Sequence, residues 1–467
     1  MNEGQLGRRL IEQNAWWQKP NWEQDDPDLR AARAAPFGYR PDPLAGIAPD
    51  GLYLLLGPRR VGKSVEIKRA IASAIASGID RRRVVYFSCD GMVAGDLGRA
   101  FRVGRNLSRT VEGPRYWFLD EVTSVTGWTQ AIKDVRDSTP AREDCVVLTG
   151  SSSRDLQDSI IDFAGRHGDR TDTERLLLPM SFRSFCAAIG IAGVPTPPPV
   201  RPRDLFDAKP LLTEMEIYWP TLGDAWQNYL HIGGFPKAVR GFAETGSVPP
   251  AFIRDMWDVV RGEAFRSLQM GAPETSALLA RLARSLTSTV NLSDLARDLD
   301  LRDGERVEAR IKALTHAFLG FRIFKDDDGV PQVNAQRKFY FSDPLLARLA
   351  HLVDDGHPAP DESVLTEQQV GMAIARAIER ERPGAFASGS EIRYWRNDNT
   401  GAEVDFVGTR VGLGIEGKYV DAGWRGEIRA LLARGVGGIC VTRSIPGFGH
   451  ADAIAVPAGL FAWMIDG

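Results

Sequence analysis

The sequence predicts an α/β protein whose first part is a parallel sheet with helices on both faces. Three observations predict it. A short apolar run, Leu52–Leu56, feeds a glycine-rich loop. A helical pattern follows the loop, with Ile67, Ile71 and Ile75 on one face and a stop at Gly78. Three more apolar runs of strand length come next, at residues 83–90, 116–121 and 145–149, spaced by helix-length sequence. Alternation in this order makes a parallel sheet, because each connection must cross back over the sheet with one hand.

The loop reads Gly57-Pro58-Arg59-Arg60-Val61-Gly62-Lys63-Ser64. This spacing lets backbone N–H groups and a helix N-terminus surround a β-phosphate. Lys63 is expected to reach the β- and γ-phosphates, and the Ser64 hydroxyl to hold Mg²⁺. Residues 57–64 therefore predict a nucleotide site, with ATP and Mg²⁺ as its ligands. Arg59 and Arg60 read either as phosphate contacts or as surface charges. The run 116–121 ends in Asp120-Glu121, the Walker B arrangement. Asp120 at a strand's C-terminal edge suits the water shell of Mg²⁺, and Glu121 suits polarising an attacking water. The run 145–149 leads into Gly150-Ser151-Ser152-Ser153. The Ser151 hydroxyl reads either as a sensor beside the γ-phosphate or as part of a turn that caps the next helix.

Composition sets bounds. The 467 residues, 43% hydrophobic and 25% charged, suit a soluble chain of several domains. A net charge of -3 argues against a globally basic nucleic-acid binder, though not against a local basic face. Cys89, Cys145, Cys186 and Cys440 form no CxxC pair, and no HExxH spacing occurs among the six histidines, which excludes the common zinc and disulfide frameworks. No apolar stretch reaches the roughly 18 residues of a membrane span, and the N-terminus lacks a signal pattern, so a cytoplasmic protein without membrane contact is expected.

Further on, the proline-rich run 193–199 can be neither helix nor central strand. Residues 275–350 read helix, short helix, helix, hairpin, which is winged-helix order. Its longer helix, 305–319, carries Arg306, Arg310 and Lys312, and its wing turn is Asp326-Asp327-Asp328-Gly329. Such a helix either enters a DNA groove or packs between domains, and the acidic turn opposes DNA. Beyond a linker at 356–361, a hairpin presents Asp405 on one strand and Glu416-Gly417-Lys418 on the next. Strand alternation puts Glu416 and Lys418 on one face with Asp405 beside them. Paired carboxylates concentrate potential for Mg²⁺, and Lys418 would position a water or steady an oxyanion. Glu367, on the preceding helix, is placed to complete the metal's shell. A solvated hairpin with outward charges is the other reading.

In combination these residues resemble a known group: AAA+-like, STAND-related archaeal and bacterial ATPases with a C-terminal PD-(D/E)XK nuclease-like domain. The resemblance rests on Gln13-Asn14-Ala15-Trp16-Trp17, Gly57 to Ser64, Tyr86-Phe87-Ser88-Cys89-Asp90, Phe118-Leu119-Asp120-Glu121 and Thr149-Gly150-Ser151. It continues through Ala164-Gly165-Arg166, Leu177-Leu178-Pro179-Met180-Ser181-Phe182, Gly233-Gly234-Phe235-Pro236 and Asp405…Glu416-x-Lys418. It departs at Ala15, where the family usually has proline. The resemblance implies a P-loop NTPase core, a helical lid, a winged helix and a restriction-endonuclease-like α/β domain. The corresponding segments are a lead-in at 1–45, the core at 46–190, a proline-rich excursion and lid at 191–270, the winged helix at 271–355 and the nuclease-like domain at 356–467.

It also implies that Arg166 is a γ-phosphate sensor or arginine finger, the other reading being a surface salt bridge. Trp16 and Trp17 become candidates for adenine stacking, against a role as core anchors. Gly233 to Pro236 falls in the lid. The function expected is an ATP-hydrolysing protein coupled to a Mg²⁺-dependent DNA nuclease module. The alternative is an ATP-driven switch that binds DNA or a protein partner through an inert nuclease-like domain. A finger acting in trans would require a homo-oligomer.

Overall fold

The computed structural model describes residues 1–467 except 151–155, 157, 158, 160, 161, 164, 167–171, 265–270, 300–303, 333–335, 434–436 and 467. The chain forms two compact units, Met1–Leu177 and Leu178–Gly467.

The first unit is built on strands β1 (Leu52–Leu56), β2 (Val84–Ser88), β3 (Tyr116–Asp120), β4 (Cys145–Thr149) and β5 (Glu174–Leu176), in the order β2-β3-β4-β1-β5. Every pairing is parallel. β1, β3 and β4 are buried along their whole length, as continuous Val, Leu and aromatic runs require in a sheet covered on both faces. Register aligns Ser88 with Asp120 and Leu55 with Thr149, so the C-terminal ends of these strands share one edge. Helices α2 (Lys63–Ala76), α3 (Ala94–Leu107) and α4 (Trp128–Asp137) make the crossovers.

Ahead of the core lies helix α1 (Glu3–Gln13), opened by an Asn2/Gln5 capping box. The residues after it cover the outer edge of β2. Asn14 Oδ1 accepts from Tyr86 N at 2.7 Å, and its Nδ2 donates to Tyr86 O at 2.6 Å. Both indole N–H groups of Trp16 and Trp17 donate to Val84 O, each at 3.0 Å. Trp16 and Trp17 are therefore buried core anchors that satisfy an open strand edge, which settles their two readings against adenine stacking.

The second unit contains, among the described residues, a nine-stranded mixed sheet in the order β14-β13-β12-β11-β10-β7-β9-β6, with β8 paired to β7. Its strands are β6 (Thr289–Val290), β7 (Gly320–Asp327), β8 (Val330–Gln332), β9 (Arg337–Phe341), β10 (Arg393–Arg396), β11 (Glu403–Val407), β12 (Gly414–Gly417), β13 (Gly438–Thr442) and β14 (Ala453–Pro457). The elements expected at 275–350 are present in order: helices Ala272–Arg284, Leu292–Asp298 and Gly304–His316, then strands. The strands differ from the simple hairpin expected. The acidic turn joins β7 to the short β8, and β9 returns on the other side of β7. β7 also pairs in parallel with β10, Arg393 opposite Phe324, so one sheet runs through the boundary expected at 355/356.

The residues expected in the lid around Gly233 form two helices, Trp219–Ile232 and Pro236–Thr245, broken at Gly233. Gly233 has φ 78°, and Pro236 starts the next helix at its first position. A Cβ on Gly234 would lie 2.3 Å from Met180 O, and Gly234 N donates to Asp343 Oδ2 at 2.7 Å. The Gly-Gly-Phe-Pro motif is thus a close-packed joint within this unit. The proline-rich run is extended, and Trp463 Nε1 donates to Pro195 O at 2.9 Å. Helix Glu362–Glu381 is buried from Leu365 to Ile378.

Candidate functional site

In the first unit the loop after β1 is shaped by left-handed or open backbone at Gly57 (φ 140°), Arg60 (φ 66°) and Gly62 (φ 109°). A Cβ on Gly57 would lie 2.1 Å from Leu177 O, so only glycine fits there. Pro58 and Val61 are buried, whereas Arg59 and Arg60 lie at the exposed tip of the loop. α2 begins at Lys63 with no side-chain cap, leaving its N-terminal dipole directed at the loop. Lys63 Nζ donates to Gly57 O at 2.7 Å and Pro58 O at 3.0 Å. Burial pushes its ammonium down to about 8, with Glu121 and Asp120 opposing the shift.

Three parts of the sequence meet at Asp120. Ser64 Oγ donates to Asp120 Oδ2 at 3.0 Å, and Tyr86 Oη donates to the same oxygen at 3.2 Å. Burial raises the Asp120 pKa, while the Ser64 hydrogen bond lowers it. Glu121 follows with φ 56°, a left-handed conformation that is uncommon for a non-glycine residue. Hydroxyl and carboxylate oxygens of Ser64 and Asp120 thus converge beside the loop lysine. This donor set fits Mg²⁺, a hard cation with oxygen ligands. Tyr86 is a member of the cluster that sequence reading passed over. Its signal was its place in the second strand, two residues before the strand's end.

Thr149 is buried, with Oγ1 on Leu55 O at 3.1 Å, and Ser151 lies outside the described residues. Arg166 makes a two-bonded ion pair with Asp137, Nε to Oδ1 at 2.9 Å and Nη2 to Oδ2 at 2.8 Å. Of its two readings, the salt bridge is therefore formed.

In the second unit the predicted Asp405, Glu416, Lys418 and Glu367 do come together, the three carboxylates buried and Lys418 partly exposed. Glu416 is 0% and Asp405 3% exposed. Lys418 Nζ lies 2.9 Å from Glu416 Oε2 and 3.9 Å from Asp405 Oδ2. Asp405 Oδ2 also accepts from Gly417 N at 3.0 Å. Sequence reading missed the residue at the centre, Lys338 of β9. Its ammonium, wholly buried, donates to Asp405 Oδ1 at 3.0 Å and Glu367 Oε1 at 3.3 Å and lies 2.6 Å from Glu403 Oε1. Tyr340, two residues on and on the same strand face, donates to Glu367 Oε1 at 2.6 Å. Burial and then Asp405 raise the Glu416 and Glu367 pKa values, whereas Lys338 and Lys418 outweigh burial to lower that of Asp405.

Mg²⁺ does not fit this arrangement. An ammonium stands among the carboxylates, and no three acidic, histidine or cysteine side chains among the described residues are set to hold a metal ion. Within the expected metal set Asp405, Glu416 and Glu367, the Lys338 ammonium stands between Asp405 and Glu367.

The basic face expected of helix Gly304–His316 is also depleted. Arg310 is buried, and Lys312 lies 3.8 Å from Glu308, which also binds Arg322 and Arg337. At the acidic turn, Asp326 is buried against Arg393 at 2.7 Å. No helix among the described residues is long and apolar enough to cross a membrane.

Comparison with known proteins agrees with the first unit. A family model described as an AAA domain matches residues 50–186, and one described as a domain of unknown function (DUF8612) matches residues 223–355. The chain's first unit carries an AAA-type P-loop core. No curated protein matches the chain. Among solved structures, the Walker-type ATPase PABY2304 of Pyrococcus abyssi is similar at 14% identity and TM-score 0.39, over 71% of this chain and 95% of that one. The Aeropyrum pernix ORC1 protein in complex with DNA matches at 14% and 0.28, over 76% and 92%. The Aeropyrum pernix ORC2 protein, in ADPNP–ADP complexes, matches at 14% and 0.32, over 67% and 89%.

Proposed function

We propose that this chain binds and hydrolyses ATP and works as a nucleotide-driven switch. One observation supports this above the rest: Lys63, Ser64, Asp120 and Glu121 gather at one strand edge beside a glycine-shaped loop. In this reading the loop amides and the α2 N-terminus receive the phosphates. Lys63 exchanges the carbonyls of Gly57 and Pro58 for phosphate oxygens. Ser64 and Asp120 would hold Mg²⁺, which when bound neutralises phosphate charge. Glu121 orients the attacking water. Arg166 would leave Asp137 to serve as the γ-phosphate sensor, and Ser151 would report on the same group. The test is nucleotide titration of the full chain: Lys63→Ala abolishes ATP binding or turnover. ATP hydrolysis retained by that variant would sink the reading.

The output of the switch is read as DNA or a protein partner, with the second unit's sheet as the platform. A second reading, a DNA nuclease at Asp405, Glu416 and Lys418, is favoured by the convergence of those three residues. It has no phosphodiester access in its favour, because both carboxylates are buried and Lys338 is already paired to one of them.

A further inference from the structure

We infer that Lys338 is a resident cation: its ammonium permanently fills the position that a divalent metal would take among Glu367, Glu403 and Asp405, and so keeps this cluster metal-free. The inference bears on the second unit alone and does not rest on the nucleotide reading.

An ammonium has three N–H donors and no acceptor. Lys338 Nζ has three carboxylate neighbours, Asp405 at 3.0 Å, Glu367 at 3.3 Å and Glu403 at 2.6 Å. Donor count and partner count match. The Tyr394 ring lies 5.7 Å from the same nitrogen and favours a cation there. Tyr340 takes a further bond to Glu367, so that carboxylate is occupied by two donors. On the far side Lys418 pairs with Glu416. Every cluster carboxylate therefore has a lysine counter-charge supplied by the chain itself.

Two geometric features make the arrangement hard to displace. Lys338 is fixed on β9, whose register with β7 is continuous from Gly320 opposite Phe341 to Ile323 opposite Lys338. Its side chain is 0% exposed, so an entering ion would have to leave a buried ammonium without partners. Magnesium also sheds its water shell reluctantly, and Asp405 and Glu416, at 3% and 0% exposed, offer little surface to a hydrated ion.

The test is Mn²⁺ binding to the full chain without nucleotide, in an Asp120→Asn background that silences the first unit's carboxylate. Bound ion is counted by electron paramagnetic resonance and calorimetry. Adding Asp405→Asn should leave the Mn²⁺ stoichiometry unchanged. Lys338→Met, checked for folding by circular dichroism, should gain about one Mn²⁺ per chain, a gain that Asp405→Asn then removes. The inference is overturned if the chain with Lys338 intact holds a Mn²⁺ that Asp405→Asn eliminates. A folded Lys338→Met variant that gains none overturns it too. Should Lys338→Met fail to fold, the comparison with and without Asp405→Asn decides alone.

Discussion

Asn14 and Tyr86 pair as two adjacent strands would, amide to backbone in both directions at 2.6 and 2.7 Å, although Asn14 belongs to no strand. One side chain thereby covers the free edge of β2, an outer strand in the order β2-β3-β4-β1-β5. Truncating it to Asn14→Ala orphans a buried donor and a buried acceptor on β2. The expected cost is about 2–4 kcal/mol, with ATP affinity unchanged in the fraction that remains folded. Chemical denaturation of wild type and variant measures it; a change near zero would show that water replaces the amide.

Binding and chemistry should separate at Asp120-Glu121. Glu121 does not share the Ser64–Asp120 hydrogen bond, so Glu121→Gln keeps the loop and its carboxylate partner intact. It should bind ATP as wild type does and hydrolyse it roughly 10²–10⁴-fold more slowly, the usual scale for losing a water-orienting base. Single-turnover measurements with bound ATP check this. Weakened binding with normal turnover would move the catalytic role elsewhere.

Arg166 offers a distinct test because its pair with Asp137 is exposed. Exposed ion pairs add little to stability. Arg166→Ala should therefore leave the melting temperature unaltered while slowing turnover, and Asp137→Ala should spare turnover. If both variants hydrolyse ATP like wild type, Arg166 is a surface salt bridge and nothing more.

DNA cleavage is expected to be absent or independent of the second cluster. Lys418→Ala and wild type should act alike on DNA with Mg²⁺ or Mn²⁺, since Lys418 serves as the counter-charge of Glu416. Cleavage by wild type that Lys418→Ala abolishes would restore the nuclease reading.

Much of the first unit was legible in the sequence because its signals are local. Leu52–Leu56, the loop and α2 are contiguous, and apolar runs of strand length mark β2, β3 and β4. The second cluster was legible only in part. Asp405, Glu416 and Lys418 lie on neighbouring strands and could be read as a set. Lys338 could not, because β7 pairs with both β9 and β10, and this long-range pairing alone brings residue 338 beside residue 405. Period-2 spacing of Lys338 and Tyr340 in an aromatic strand was the one available hint.

Asp343 gives the second unit a pH dependence whose sign follows from its surroundings. It is fully buried, with Oδ2 accepting from Gly234 N at 2.7 Å and Oδ1 from Leu345 N at 2.9 Å. Burial pushes its carboxyl up to about 7 from 3.8, outweighing those two N–H groups and the Arg376 guanidinium. Tyr229 also faces it and stays neutral, its own pKa raised by burial. A carboxyl with a raised folded pKa binds more protons folded than unfolded across the interval between the two values. Its contribution to stability is therefore whole below pH 3.8 and is lost as pH climbs through about 7. Asp343→Asn removes the titration and turns an N–H donor toward a backbone N–H. The variant should be less stable than wild type by about 1–3 kcal/mol at pH 5.5, with the gap narrowing toward pH 8. Thermal melts of both proteins across that range check it, and a gap that stays flat with pH would show Asp343 ionised throughout and held by Arg376.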